Sequence, residues 1–394
     1  MAPSVSYHRL GAVVAAGSLV LLRSAMAQPV LTLVANIPLP HVTNQIGAFK
    51  FDHLDADLAG QRLFVSCKEN NTIGVIDMAT NTYVGARYGV AAPQGILVVP
   101  SLGLVLSAGD DDGALHAFSL DPPFALRWRV EVGGPNGGAD NIDYDPATGL
   151  AWVGFGDDSG SPSGALAYIN ISATNATLLG SIPYPGGSHP EEFHLSSSSS
   201  LIYGSCPQCN STVVVISRVT KAIITSWPLL PAASDNYAME LDAAHDRIFL
   251  GTYGSTPGSP AYGHPLFLVL NMFDGSIVWS MPVTTVCDSI KYDSRMGRIY
   301  ASCGGSAVPS DPSVLYVIQQ TGADKYALLG TAPLPAPYLL ARTIYFDVTS
   351  STAYLAVPFN NALSPVQEAA VLVFRASAAD SSARNESVAA SAAA

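Results

Sequence analysis

The sequence predicts an all-β fold: a seven-bladed β-propeller of four-stranded antiparallel blades, closed by an N-terminal strand that completes the last blade. Three observations predict it. One pattern of strand, turn, strand, loop, strand occurs seven times along the chain. Successive copies are separated by roughly 41–54 residues, which matches the period of a propeller blade. The seventh copy lacks an outer strand, while an unmatched strand stands near the N-terminus. Composition agrees. With 48% hydrophobic and 12% charged residues, the chain is too apolar to remain unfolded. Its 34 glycines and 28 prolines, beside many β-branched residues, favour short strands joined by turns.

The elements follow in chain order. Residues 1–27 have the form of a secretory signal: His8 and Arg9 precede an apolar run over 10–22, and Ala25-Met26-Ala27 is an A-x-A cleavage pattern. The alternative is a membrane anchor, but the run is well short of the roughly 20 residues a spanning helix needs. No later segment is longer and more apolar. The expected location is therefore extracellular, or another non-cytosolic compartment, with no membrane span. Sequons at Asn70, Asn170, Asn175, Asn210 and Asn385 fit export into a glycosylating compartment.

The propeller is expected over residues 28–375. Its first repeat holds Phe51-Asp52-His53-Leu54-Asp55-Ala56-Asp57, then Arg62-Leu63-Phe64-Val65-Ser66, then Thr72-Ile73-Gly74-Val75-Ile76-Asp77. The second strand returns as Leu104-Val105-Leu106-Ser107, Ala151-Trp152-Val153-Gly154 and Leu201-Ile202-Tyr203-Gly204. It returns again as Ile248-Phe249-Leu250-Gly251, Ile299-Tyr300-Ala301-Ser302 and Ala353-Tyr354-Leu355-Ala356. Outer strands close most repeats, as at 222–229 and 327–334. The seventh stops at Phe374 without one, and residues 30–40 supply the missing strand. That pairing would tie the termini together and cover an edge otherwise open to aggregation. The Ala/Ser-rich segment 376–394 has the composition of a disordered tail.

Charge and cysteines narrow the partners. The net charge is −12, with no run of Lys or Arg. Nucleic acid and anionic membrane are therefore poor partners. A small molecule, a glycan or a protein remains, bound by what is expected to be a monomer. Five cysteines allow two disulfides and one leftover thiol. Cys206 and Cys209 are close enough for a local bridge. Cys287 and Cys303 flank a hairpin turn almost symmetrically and would face each other across it. Cys67 is then the free thiol, expected to be buried. The four tryptophans, Trp128, Trp152, Trp227 and Trp279, lie in strand patterns and are expected to pack between blades.

The repeat resembles the YVTN-repeat, YncE-like secreted β-propellers over roughly residues 30–375. The matching residues are Arg62-Leu63-Phe64-Val65 and Asn71-Thr72-Ile73-Gly74-Val75-Ile76-Asp77. The blade junctions Asp52-His53-Leu54, Pro93-Gln94-Gly95, Asp140-Asn141, His189-Pro190-Glu191 and Arg342-Thr343 are similar as well. The resemblance implies a non-cytosolic propeller used for binding, with lactonase-like and quinoprotein-like propellers as distant structural kin. It brings no catalytic residues with it.

A site is expected at the upper mouth of the central channel, where the innermost strands begin. Those beginnings carry polar residues where a packed core would want apolar ones: Asp52, Gln94, Asp140, Glu191, Asp288 and Arg342. His53, Asn141, His189, Asn236 and Tyr237 adjoin them. Long loops at 157–164, 253–265, 304–312 and 359–368 share that face. Polar residues here also have a bland explanation, since propeller channels are commonly wet. Carboxylates crowded around one opening repel unless a cation or Arg342 intervenes. Ca²⁺ would suit Asp52, Asp140, Glu191 and the Asn141 carbonyl, whereas a softer metal would want His53 and His189. Arg342 would suit an anionic group on a ligand. Asp110-Asp111-Asp112-Gly113 has the look of a solvated turn and lacks the bidentate Glu of an EF-hand. His116 and His194 alternate within strands as packed or exposed side chains.

Three functions compete. The leading one is a binding or scaffold protein with a polar ligand site at the mouth. The alternative is a lactonase-like hydrolase or isomerase assisted by a divalent cation such as Ca²⁺, with His53 or His189 as general base. The third is a redox propeller carrying a quinone cofactor. The chain contains no G-x-S-x-G, P-loop or H-E-x-x-H motif.

Overall fold

The computed structural model describes residues 29–42, 51–135, 137–156, 163–254, 260–304, 312–335, 338–361 and 363–377. These residues form seven four-stranded antiparallel sheets standing in a ring. Blades one to six span 54–88, 93–131, 142–183, 193–228, 236–282 and 287–331. In each, the four strands lie side by side in chain order, from the channel outward. Blade seven takes three strands from 343–376 and its outermost strand, Leu31–Pro38, from the other end of the chain. The closing pair runs antiparallel from Leu31 opposite Ala376 to Pro38 opposite Ala370. Leu39 N–H donates to Ala369 C=O at 2.9 Å and Ser377 N–H to Val30 C=O at 3.1 Å, extending the join at both ends.

Burial explains the strand sequences. The two middle strands of a blade are covered on both faces, because blades pack face to face. They read as continuous apolar runs, as in Leu104–Gly109 and Ala114–Ser119, where every residue is buried. Outermost strands are only partly covered and mix half-buried with exposed positions, as in Thr82–Tyr88. Hydrophobic clusters therefore form between blades rather than within them. One joins blades two and three through Leu106, Leu115, Trp128, Val153 and Ile169. Another joins blades seven and one through Ile37, Leu63, Ile76 and Val371. Trp128, Trp152, Trp227 and Trp279 all sit in strands and pack into such clusters.

Turns at the lower face share one device. Asp57, Asp145, Asp242, Asp293 and Asp347 end their innermost strands, and each carboxylate accepts an N–H from the turn that follows. An acceptor at that position replaces the ladder partner that the turn takes away.

Both expected disulfides are present, Cys206–Cys209 and Cys287–Cys303, and Cys67 is free and buried. Burial pushes the Cys67 thiol up to about 12, so it is inert. Sequons Asn170, Asn175 and Asn210 are exposed and Asn70 is partly so. The signal-like segment, sequon Asn385 and the tail from 378 lie outside the described residues. The last strand runs through Ala376. Among the described residues no helix is long and apolar enough to cross a membrane.

Candidate functional site

Strand register places the channel residues in tiers. Seven innermost-strand residues pair with the third residue of their second strand: Asp55, Leu97, Asp143, His194, Glu240, Lys291 and Tyr345. They form the waist of the channel. Three residues earlier in each blade stand Asp52, Gln94, Asp140, Glu191, Tyr237, Asp288 and Arg342. All seven line one cavity of about 280 Å³ at the upper mouth, with Lys68, Asp110, Gly156, His189 and Tyr253.

The mouth has two unlike sides. On one, Arg342 Nε meets Asp288 Oδ2 at 2.7 Å and Arg342 Nη1 donates to Tyr253 Oη at 3.1 Å. Tyr253 in turn donates to Asp288 Oδ1 at 2.5 Å and stacks on Tyr237 at 4.1 Å. Burial, the Asp288 charge and the hydrogen bond to it hold the Tyr253 phenol protonated, well above its ordinary range. Arg342 is thus engaged by its own neighbours, and a ligand carboxylate would have to displace Asp288. Lys68 is engaged likewise, with Asp110 at 2.7 Å and Gln94 Oε1 at 2.8 Å.

The other side collects acids and imidazoles. His53 Nδ1 lies 3.2 Å from Asp52 Oδ1 and 3.8 Å from Asp140 Oδ1. Burial disfavours charge on this ring, but its bond to Asp52 and the charges of Asp52, Asp140 and Glu192 prevail and lift it to about 9. His189 Nδ1 donates to Gly156 C=O at 2.8 Å, and its Nε2 lies 3.5 Å from Asp140 Oδ2. Two sets of side chains bring metal-capable atoms within 4.8 Å of one another: Asp52, His53 and Asp140, and Asp140, His189 and Glu191.

Two expected residues do other work. Asn236 is fully buried and donates through Nδ2 to Thr212 C=O, while its neighbour Tyr237 takes the mouth position of blade five. The Asn141 carbonyl accepts the Gly154 N–H at 3.0 Å, so it belongs to the sheet rather than to the opening. The sequence reading did not single out Lys68, Gly156 or Tyr253, and it took Asp110 for part of a solvated turn. A signal existed: each is the first residue after the second strand of its blade.

The waist is a different environment. Asp55 accepts Val98 N–H at 2.7 Å, Asp143 accepts Leu195 N–H at 2.9 Å, and Glu192 accepts Met239 N–H at 2.7 Å. Each bond links one blade to the innermost strand of the next, so these carboxylates fasten the ring. Lys291 and His194 lie among them; Glu192 is 3.4 Å from His194 and 3.9 Å from Lys291. Burial lifts Asp55 to about 6, only partly offset by the Val98 and Ala56 N–H groups.

No family model and no curated protein matches the chain. Solved structures do. A chain from the crystal structure of the mitotic checkpoint complex superposes with a TM-score of 0.68, covering 95% of this chain and 99% of that one. The likeness is one of fold. At 10% identity it carries no site residue across. A second cavity, of about 160 Å³, lies at the lower face between blades seven and one, lined by Gln61, Met78, Asp347 and Arg375 among others. It gathers no comparable set of charged side chains.

Proposed function

We propose that this chain is a ligand-binding propeller whose upper mouth takes a small ligand that is, or carries, a cation. One observation carries the reading: more carboxylates than cations line the open cavity at the mouth. Five mouth carboxylates (Asp52, Asp110, Asp140, Glu191, Asp288) face two fixed cations, Lys68 and Arg342, and one protonated imidazole, His53. The waist carries carboxylates in similar excess, but there Asp55, Asp143, Glu192 and Glu240 are taken up by backbone N–H groups of the ring itself. Uncompensated carboxylates in a concave, partly dry site attract cations strongly. The YVTN-like repeat, the signal-like N-terminus and the surface position of four sequons support a secreted protein of this kind.

A lactonase-like hydrolase would use the same opening. His53 is a poor general base for it, because its neighbours keep it protonated at neutral pH. Thermal unfolding in the presence of divalent ions, spermidine or neutral sugars tests the proposal. Cations should stabilise the protein, by about 2.7 kcal/mol at a hundredfold excess over Kd, and neutral sugars should not. Joint replacement Asp52→Asn and Asp140→Asn should abolish the stabilisation. Indifference to every cation, or a full response in that variant, would refute the reading; turnover of a lactone would replace binding with catalysis.

A further inference from the structure

We propose that the cation of the mouth is a divalent metal of borderline hardness, such as Zn²⁺, held by Asp140, His189 and Glu191. This rests on the reading of the mouth as a cation site and names the ion class. The donor atoms of these three side chains already lie within 4.8 Å of one another.

The orientation of His189 points to a metal. Gly156 C=O can only accept a hydrogen bond, so His189 Nδ1 carries the proton and Nε2 is the atom turned to Asp140, 3.5 Å from Oδ2. Two donors on one tetrahedral zinc, each at about 2.0–2.1 Å, stand about 3.4 Å apart. An imidazole fixed through its far N–H by a backbone carbonyl is the usual support of a metal-binding histidine. That carbonyl is itself fixed. Gly156 has φ +137°, and a Cβ there would lie 2.4 Å from Gly164 Cα, so only glycine fits.

Asp140 supplies a second, independent sign. It is 8% exposed, it lines the cavity, and its Oδ1 accepts no hydrogen bond. A buried carboxylate oxygen without a donor is costly, and a metal ion satisfies it. His53 Nδ1 lies 3.8 Å from that same oxygen, too far to donate to it. The nitrogen donor decides the class of ion. Ca²⁺ and Mg²⁺ take oxygen ligands, whereas imidazole beside carboxylate suits Zn²⁺ and its neighbours. The open side of the cavity leaves coordination positions for an organic ligand.

The test is calorimetric titration of chelator-treated full-length protein with Zn²⁺, Ca²⁺ and spermidine in turn. Zn²⁺ should bind at one equivalent and at least about tenfold more tightly than Ca²⁺. His189→Gln should weaken Zn²⁺ by about 100-fold and leave Ca²⁺ nearly unchanged, since loss of an outer partner alone costs 10–100-fold. Co²⁺ should give visible absorption bands that change in His189→Gln. Glu191→Gln, at a partly exposed position, should weaken Zn²⁺ too, and it judges the proposal if His189→Gln fails to fold. His245→Gln, a half-exposed imidazole elsewhere, should change nothing. Zn²⁺ affinity unmoved by both mouth substitutions would overturn the proposal. Preference for Ca²⁺, or binding of spermidine alone, would overturn it while leaving the cation reading intact. Failure of all three probes would remove both.

Discussion

His194 shows how single residues in this channel divide between holding the ring and serving the opening. Its Nε2 contacts both Met239 C=O, at 2.9 Å, and Glu192, at 3.4 Å. Burial opposes its charge, but the Glu192 hydrogen bond and the charges of Glu240 and Glu192 prevail and raise it to about 9. A raised folded value means the native state binds the proton more tightly than the unfolded chain does. The stability it contributes is therefore complete below about pH 6.5 and is lost as pH rises through about 9. Urea melts across that window should show the native protein losing more stability than His194→Gln, by on the order of 3 kcal/mol. A residual slope belongs to His53, which titrates in the same range. Parallel curves would mean that His194 is not charged in the fold. The sequence made the mouth residues legible and the waist residues not. Asp52, Gln94, Asp140, Glu191, Asp288 and Arg342 open their strands and so repeat in register. His194 lies mid-strand, where a buried imidazole and an exposed one leave the same trace. Lys68, Asp110 and Tyr253 come from loops whose approach to the axis depends on ring closure.

Each outermost strand carries a β-bulge, and the bulge decides which neighbour its side chains meet. Register shifts between the third and fourth strands of every blade, leaving Val34, Val84, Arg127, Leu179, Ile224, Val278 and Leu329 as extra residues of the outer strands, and blade six shifts a second time between Gln320 and Gly322. One inserted residue swaps the faces of all that follow. In blade three, Ala176 precedes the bulge and packs toward blade two, whereas Ile182, of the same parity, packs toward blade four. In blade four, Ile223 and Trp227 divide the same way. A straight outer strand would serve only one neighbour; the bulge lets it cover parts of both, and its added twist discourages pairing with another molecule. Leu179→Ser, at a side chain 53% exposed, should change stability by less than about 0.5 kcal/mol. Deleting Leu179 should cost several times more, because the Tyr168–Gly180 and Ile169–Leu178 pairs would become adjacent and the strand would lose the bend and twist that seat Ala176 and Ile182 against different blades. Equal midpoints for the two in denaturant would show that the bulge is incidental. In the sequence this feature looks like imperfect alternation. The strands were readable from composition, but their packing partners were not, since one extra residue leaves composition unchanged.

At the scale of the whole molecule, the ring depends on a noncovalent closure between the most distant parts of the described chain. Leu31–Pro38 is the outermost strand of blade seven and contacts the blades on either side of it. Leu31, before the bulge, is fully buried in the cluster between blades six and seven; Ile37, after it, is buried between blades seven and one. Thr343 Oγ1 adds a hydrogen bond to Phe51 C=O at 3.0 Å across the same junction. This closure was legible in the sequence because the last repeat lacks a strand and the N-terminal one has no partner in its own neighbourhood. Joining such distant segments forms one of the longest loops the chain can close, so the contact brings its reward late in folding. Leu31→Ala and Ile37→Ala should each cost about 2–5 kcal/mol, as buried aliphatic truncations do. Their effects should fall on different neighbours. Hydrogen exchange should rise at the junction of blades six and seven for Leu31→Ala, and at that of seven and one for Ile37→Ala. Each should also speed exchange along Ala370–Ala376, the strand that both residues' segment pairs with. If exchange there is unchanged in both variants, the terminal strand is an ornament on a ring that closes without it. The mouth, whose residues come from blades on both sides of that seam, would then owe its geometry to some other contact.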